Sequence, residues 1–230
     1  MSLTDEGPVR GTAVIADIVG SRGLRDRAAA QEAILAAFAA AEEAVPARIP
    51  AWATVGDEFQ ALHADWAAAV RATLRVAVAL PEGVELRFGL GDGVHREVTG
   101  AADDDGRPIL DGSAWHRARE ALEAAEHRTR GLAGAYRGPD ADLTAAVDGQ
   151  LLVRDHVLRR LKARERRIAA ALLAGRTQAE TATAERITQG AVSQAVARSG
   201  VRELLALDAA LGALPGAGRG AKATAEEDRP

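Results

Sequence analysis

The period of the apolar positions changes along the chain, and each change marks an element. Residues 11–19 are small and β-branched and alternate poorly, the pattern of a strand buried on both faces. From about residue 25 to 44 the period becomes helical, with Ile34, Leu35, Phe38 and Ala41 on one face, until Pro46 and Pro50 end it. Residues 49–62 read as a hairpin that breaks at Gly56-Asp57, a dipeptide suited to a tight turn. A second helix, about 65–80, aligns Trp66, Val70, Leu74 and Ala77 and stops at Pro81. Residues 84–90 form a third strand-like run, which Gly91-Asp92-Gly93 is expected to turn into another at 94–98. Asp111-Gly112-Ser113 caps a further helix to about His127, and Tyr136 sits in a short run that reads as a strand. The order β-α-β-β-α-β-β-α predicts an α/β sandwich with helices on one face of a mostly antiparallel sheet.

Beyond about residue 142 the pattern is helical throughout. Residues 151–167 read as one basic helix, carrying Arg154, Arg159, Arg160, Lys162, Arg164, Arg166 and Arg167. Three compact helical pieces follow at 166–174, 177–184 and 188–199, set off by Gly175 and Gly200, and a last helix spans 201–211. The expected organisation is a flexible N-terminus at 1–9, an α/β domain at 10–140, a helical domain at 141–212 and a disordered tail at 213–230 that lacks apolar periodicity.

Composition narrows the function classes. The 230-residue chain has a formal net charge of -4, which argues against general polyanion binding while leaving room for a local basic patch. With no cysteine, disulfides, thiolate metal sites and a thiol nucleophile are excluded. The first ten residues hold Asp5, Glu6 and Pro8 and no apolar core of a signal peptide. No stretch approaches the roughly 20 apolar residues of a membrane span. A soluble, cytoplasmic protein is expected.

The candidate chemistry lies in two carboxylates. Asp17 closes the first strand and Asp57 sits in the hairpin turn, so strands lying side by side would bring both to one sheet edge. Two such carboxylates repel unless a cation separates them, and a hard ion such as Mg2+ prefers oxygen ligands. The alternative is that each Asp is only a turn former or a helix cap. The acidic run Asp103-Asp104-Asp105 reads as a solvated turn, because consecutive side chains cannot all point at one ion. His63, His95, His127 and His156 fall at no metal-ligand spacing. Trp115 is expected to pack and His116 to lie at the surface.

These residues also carry a resemblance. Ala16-Asp17-Ile18-Val19-Gly20-Ser21 looks like the first metal-binding strand of class III nucleotidyl cyclases. Thr54-Val55-Gly56-Asp57-Glu58-Phe59 is similar to their second metal hairpin and to the GGDEF signature of diguanylate cyclases, and Arg87-Phe88-Gly89-Leu90 resembles a strand of the same fold. With Ala114-Trp115-His116-Arg117-Ala118-Arg119 and the C-terminal helices, the order and spacing look most like the SatD family over about residues 10–210. The resemblance implies an α+β fold: a ferredoxin-like, nucleotidyl cyclase-type palm domain followed by an all-α helix-turn-helix domain. It implies Mg2+ or Mn2+ held by Asp17, Asp57 and the Ile18 carbonyl, and a nucleoside triphosphate met by Gly20, Ser21, Arg22 and Gly56, with Arg119 as a transition-state arginine. Three departures bear on that chemistry: Ala53 replaces the adenine-contacting Lys, Trp115 the transition-state Asn, and Gly112 the adenine-reading Asp. Cyclisation of ATP is therefore not expected, whereas metal-assisted nucleotide binding survives these losses.

Thr177-Gln178-Ala179-Glu180 and Thr188-Gln189-Gly190-Ala191-Val192-Ser193-Gln194 resemble a helix-turn-helix of the sigma-factor region type. Thr177 and Thr188 are N-cap candidates. Thr188, Gln189, Ser193, Gln194 and Arg198 would face DNA, Ala191, Val192, Ala195 and Val196 would pack inward, and Arg176 with the preceding basic helix would meet phosphates. A small bundle serving dimerisation is the competing reading, and Glu185 and Arg186 depart from the usual turn residues. The chain is thus expected to be a homodimeric DNA-binding regulator with a degenerate cyclase-like nucleotide site. The rival reading is an active nucleotidyl cyclase or transferase with a rebuilt base pocket, and a scaffold with neither activity is a third.

Overall fold

The computed structural model of the chain describes residues 9–54, 57–102, 108–128 and 131–215. The α/β part contains β1 (Val9–Ile18), α1 (Arg27–Glu42), β2 (Ile49–Ala53), β3 (Glu58–His63), α2 (Trp66–Ala79), β4 (Leu86–Ala102), β5 (Pro108–Asp111), α3 (Ser113–Arg128) and β6 (Ala133–Arg137). The helices α4 (Ala141–Arg160), α5 (Ala163–Leu173), α6 (Gln178–Glu185), α7 (Gln189–Ser199) and α8 (Val201–Gly212) follow. One mixed sheet runs β2-β3-β1-β4, antiparallel throughout, and β4 then pairs with β5 antiparallel and with β6 parallel.

The alternation of side chains along β1 sorts the core into two layers. Val14, Ala16 and Ile18 join Phe59, Phe88 and Leu90 on the face covered by α1 and α2. Ala13 and Ile15 point the other way, against Trp115, Ala118 and Leu122 of α3. The sheet is therefore covered on both faces, which corrects the expectation of helices on one face only. That is why residues 11–19 alternate poorly: both faces of the strand are buried.

Gly91-Asp92-Gly93 makes no turn. β4 runs unbroken through it, paired with β1 from Leu86 to His95. Gly89, Gly91 and Gly93 all face α3, and a Cβ built on them would lie 2.1 Å from the Ala118 carbonyl oxygen, 2.1 Å from the Ala114 carbonyl oxygen and 2.5 Å from the Ser113 hydroxyl, respectively. The glycines serve close helix–strand approach rather than chain reversal, a use that glycine inside a strand also signals.

Helix limits follow local chemistry. Asp26 and Asp65 cap α1 and α2 by accepting from the Ala29 and Ala68 amides, at 2.9 and 2.8 Å. The segment expected as one basic helix at 151–167 is two: α4 begins earlier, at Ala141, and ends at Arg160, and α5 starts at Ala163. Arg154 is not on a solvated face. It is buried on the sheet side of α4, bonded to Asp155 at 2.8 Å and to the Thr73 hydroxyl of α2 at 2.9 Å. Arg159 donates to the Leu132 carbonyl at 2.9 Å, so two cations of the run tie α4 to the α/β part.

The helices α4 to α8 share one apolar cluster with the α1–α2 face of the sheet, through residues such as Leu151, Ile168, Val192 and Leu204. A charged tie reinforces it: Asp208 of α8 accepts from Arg71 at 3.1 Å and from Arg75 at 2.7 Å. Among the described residues no helix is long and apolar enough to cross a membrane.

The close α3–β4 contact makes a direct prediction. Gly91→Ala is expected to destabilise the protein by about 3 kcal/mol, the upper end for overpacking, because the clash is with backbone and not with a movable side chain. Gly83→Ala serves as the control, since φ +84° strains it but its Cβ meets nothing within 4 Å. Urea unfolding midpoints distinguish them, and equal losses would refute the packing argument.

Candidate functional site

The edge formed by the ends of β1 and β3 holds the candidate carboxylates. Asp17 lies opposite Glu58 on β3 and opposite Arg87 on β4. The Ile18 amide donates to the Asp57 carbonyl at 3.3 Å. In an antiparallel ladder a residue's N–H and C=O point the same way, so the Ile18 carbonyl also faces the Asp57 side. Gly56 lies outside the described residues.

Each aspartate is held by a different arginine. Arg27, the first residue of α1, hydrogen-bonds the Asp57 carboxylate, and the Ser21 hydroxyl does so too. These two hydrogen bonds, Ser21 first, hold the Asp57 carboxyl below the usual carboxylate range. Asp17 stands 3.7 Å from the Arg87 guanidinium, which is itself 3.4 Å from Glu126. Burial pushes the Asp17 carboxyl up, Arg87 opposes this, and the charges of Asp57, Glu126 and Glu58 add to the rise. One edge thus holds two carboxylates whose surroundings drive their acidities apart.

Arg119 reaches the same edge from α3. It grips Glu58 with two hydrogen bonds of 2.5 and 2.9 Å, and the Asp17 charge adds to what keeps it protonated. Sequence reasoning missed Arg27, Glu58 and Arg87 as members of the site. Glu58 and Arg87 stood inside quoted motifs, where their in-register pairing with Asp17 is a property of the sheet. Nothing local marks Arg27, which comes to the edge only through the seating of α1.

The turn after β1 is built from Gly20 at φ 65° and a single 3-10 turn, Ser21–Gly23, with Arg22 exposed. The start of α1 is already served by the Asp26 carboxylate. The departures from the cyclase pattern have structural reasons. Trp115 is buried and meets Trp52 edge to face, with centroids 5.9 Å apart at 66°. Gly112 adopts φ +125°, where a Cβ would sit 2.3 Å from the Val94 carbonyl oxygen, so an aspartate cannot stand there without moving β4. His116 is exposed and lies 3.2 Å from Asp111.

A second candidate surface lies on α6 and α7. Thr177 caps α6 in a reciprocal box with Glu180, and Thr188 caps α7 by accepting from the Ala191 amide at 3.1 Å. Arg186 joins the two helices at φ 54°, the left-handed conformation that glycine takes more easily, and Glu185 pairs with Arg167 at 2.7 Å. Val192 and Val196 are buried, Ala191 and Ala195 half-buried, and Gln189, Ser193, Gln194 and Arg198 exposed on one side of α7. Arg176 is exposed ahead of α6.

The raised pKa of Asp17 has a testable sign. Its charged form is less favourable in the fold than in the unfolded chain, so the cost is present above its folded value and absent below the ordinary 3.8. Asp17→Asn is therefore expected to raise the melting temperature at pH 7 without added metal, with the gain shrinking as pH falls toward 4. A lower melting temperature at pH 7 would show that the Arg87 pair outweighs burial.

No curated protein matches this chain significantly. Among solved structures it is similar to a bacterial light-regulated adenylyl cyclase, at 13% identity and a TM-score of 0.38, over 59% of this chain and 46% of that one. The chain thus spans less than half of that cyclase. It is also similar to a regulator of polyketide synthase expression from Bifidobacterium adolescentis, at 17% identity and a TM-score of 0.29, over 91% and 82% of the two chains. The SatD family model matches residues 12–201, most of the chain, and the protein belongs to the SatD family.

Proposed function

We propose that the protein is a DNA-binding regulator in which a ferredoxin-like, cyclase-type domain binds a nucleotide with Mg2+. The observation that carries the regulatory half is α7: a capped helix with a buried apolar side and an exposed side of Gln189, Ser193, Gln194 and Arg198. Glutamine and arginine on one exposed side suit hydrogen bonding to base edges, and the exposed Arg176, Arg186 and Arg198 suit phosphates. In this reading α6 and α7 are the two helices of a helix-turn-helix, and a homodimer presents two of them to paired half-sites.

The nucleotide half rests on the fit of the edge to a hard cation. Asp17, Asp57 and the Ile18 carbonyl are oxygen donors on neighbouring strands, and Asp17 is uncomfortable as an anion until positive charge joins it. Among the described residues no group of three His, Asp or Glu is arranged around a metal position, so the donor set would be these two carboxylates and a carbonyl. A divalent ion there would screen the two carboxylates from each other and draw phosphate oxygens to the edge. Arg27 and Arg87 now neutralise them, and Arg22 is free to swing toward a phosphate from the exposed turn.

An enzymatic reading has one specific support, Arg119 at the carboxylate edge, bonded to Glu58 and within reach of the Asp17 charge. The buried Trp115 argues against it, since an apolar ring fills the place of a hydrogen-bonding side chain. Incubation with each Mg2+–NTP and product analysis separates the two: no turnover supports the sensor, and turnover lost in Arg119→Ala supports the enzyme.

Two measurements test the main reading. A Mg2+–NTP present at 100 times its dissociation constant stabilises a one-site protein by about 2.7 kcal/mol, which is read as a melting shift of several degrees. The shift is expected to need both the metal and Asp57, and to vanish in Asp57→Asn. No shift with any NTP would sink the nucleotide half. For DNA, gel retardation of genomic fragments at low salt is expected, with Gln194→Ala losing about 1–3 kcal/mol on the preferred fragment. Retardation unchanged by Gln194→Ala and Arg198→Ala would remove α7 from the interface.

A further inference from the structure

A cavity of about 510 Å³ lies between the α1–α2 layer and the α5–α6 pair, and no residue of α7 or of the carboxylate edge lines it. That volume is within the range of small-molecule sites. Its walls are largely alanine, including Ala37, Ala41, Ala171 and Ala174, so the space exists because small side chains meet where two layers of helices cross. Three arginines, Arg75, Arg167 and Arg176, line it against two acids, Glu43 and Glu185.

The charges are unevenly satisfied. Glu185 is taken by Arg167 at 2.7 Å, and Glu43 is exposed at the rim. Arg75 is the deep cation, with a side chain 10% exposed. It donates to the Leu173 carbonyl at 2.7 Å and shares the single carboxylate of Asp208 with Arg71. Two half-buried guanidinium groups against one carboxylate leave a net positive charge beside the cavity. The Arg75 Nε is buried and has no hydrogen-bond partner among the described residues. Such an orphaned donor in a charged group calls for an acceptor. Thr181 offers nothing further, because its hydroxyl already bonds the Thr177 carbonyl at 2.9 Å.

We propose that this cavity binds a small amphipathic anion, with an apolar body against the alanine walls and one acidic head directed to the Arg75 and Arg176 side. Such an occupant touches α1 and α2 on one side and α5 and α6 on the other, and so bridges the sheet-covering helices and the helices that lead into α7. The site requires neither the nucleotide nor the DNA reading.

The probe is 8-anilinonaphthalene-1-sulfonate, an aromatic anion that fluoresces when it leaves water, compared with the uncharged N-phenyl-1-naphthylamine. One saturable equivalent per chain is expected, with the uncharged analogue about tenfold weaker. Ala171→Trp, which fills the cavity, and Arg176→Glu, which reverses an exposed charge, are each expected to weaken binding of the anion about tenfold. If Ala171→Trp loses its cooperative melting, Ala40→Trp at the exposed rim replaces it. Equal binding of the charged and uncharged dyes, or unaltered binding in a folded cavity-filling variant, overturns the proposal. So does the absence of a saturable site. The readout uses fluorescence alone, so its failure leaves the DNA and nucleotide measurements untouched.

Discussion

The approach of α3 to the bare backbone of β4 is the constraint on which the rest depends. Three glycines at alternate positions remove every side chain from one strip of the strand, and the backbone of α3 settles where side chains would otherwise stand. Small residues on the helix, Ala114 and Ala118, complete the fit. Because the helix sits so near, the ring of Trp115 lies over the β2 side of the sheet and the long side chain of Arg119 spans to Glu58. Farther away, the same arginine would end in solvent. The charged edge is in this sense a consequence of packing in the middle of the sheet.

At that edge, charge is balanced by arginines from three different elements. Arg27 comes from α1, Arg87 from β4 and Arg119 from α3, and each takes a separate carboxylate. The balance is uneven, and this gives the edge its chemical character. Asp57 is stabilised as an anion by two direct hydrogen bonds, whereas Asp17 receives only a 3.7 Å contact and pays for partial burial. A site of fully matched ion pairs would have little to gain from a ligand, and Asp17 is the member most weakly matched.

The C-terminal helices are bound to the sheet by more than apolar contact. Arg154 and Asp155 form a buried pair inside α4, and Asp155 also accepts from the Gly134 amide on β6 at 2.5 Å. Removing one partner of such a pair typically costs about 3–5 kcal/mol, since the other charge stays buried. Arg71, Arg75 and Asp208 make a second tie, between α2 and α8. These ties fix α4 and α8 against α2 and β6.

Much of this was legible in the chain. Apolar period located α1 and α2, and the capping residues Thr177 and Thr188 located α6 and α7, because a cap is chemistry between residues three apart. The inward and outward sides of α7 were readable for the same reason, as helical periodicity is local. The hairpin at residues 49–62 and the strand at Tyr136 were readable as well. What failed was whatever depended on partners distant in sequence. Gly91-Asp92-Gly93 looks like a turn until α3 is known to lie over it, and Arg154 looks solvated until α2 is known to receive it. The sequence by itself determined the limits of α1, α2, α6, α7 and α8 to within a residue or two, since those signals act within a turn or two of the chain. Only the tertiary structure decided which faces were covered, which arginine met which carboxylate and where a cavity remained, because those outcomes are set by side chains brought together across the fold.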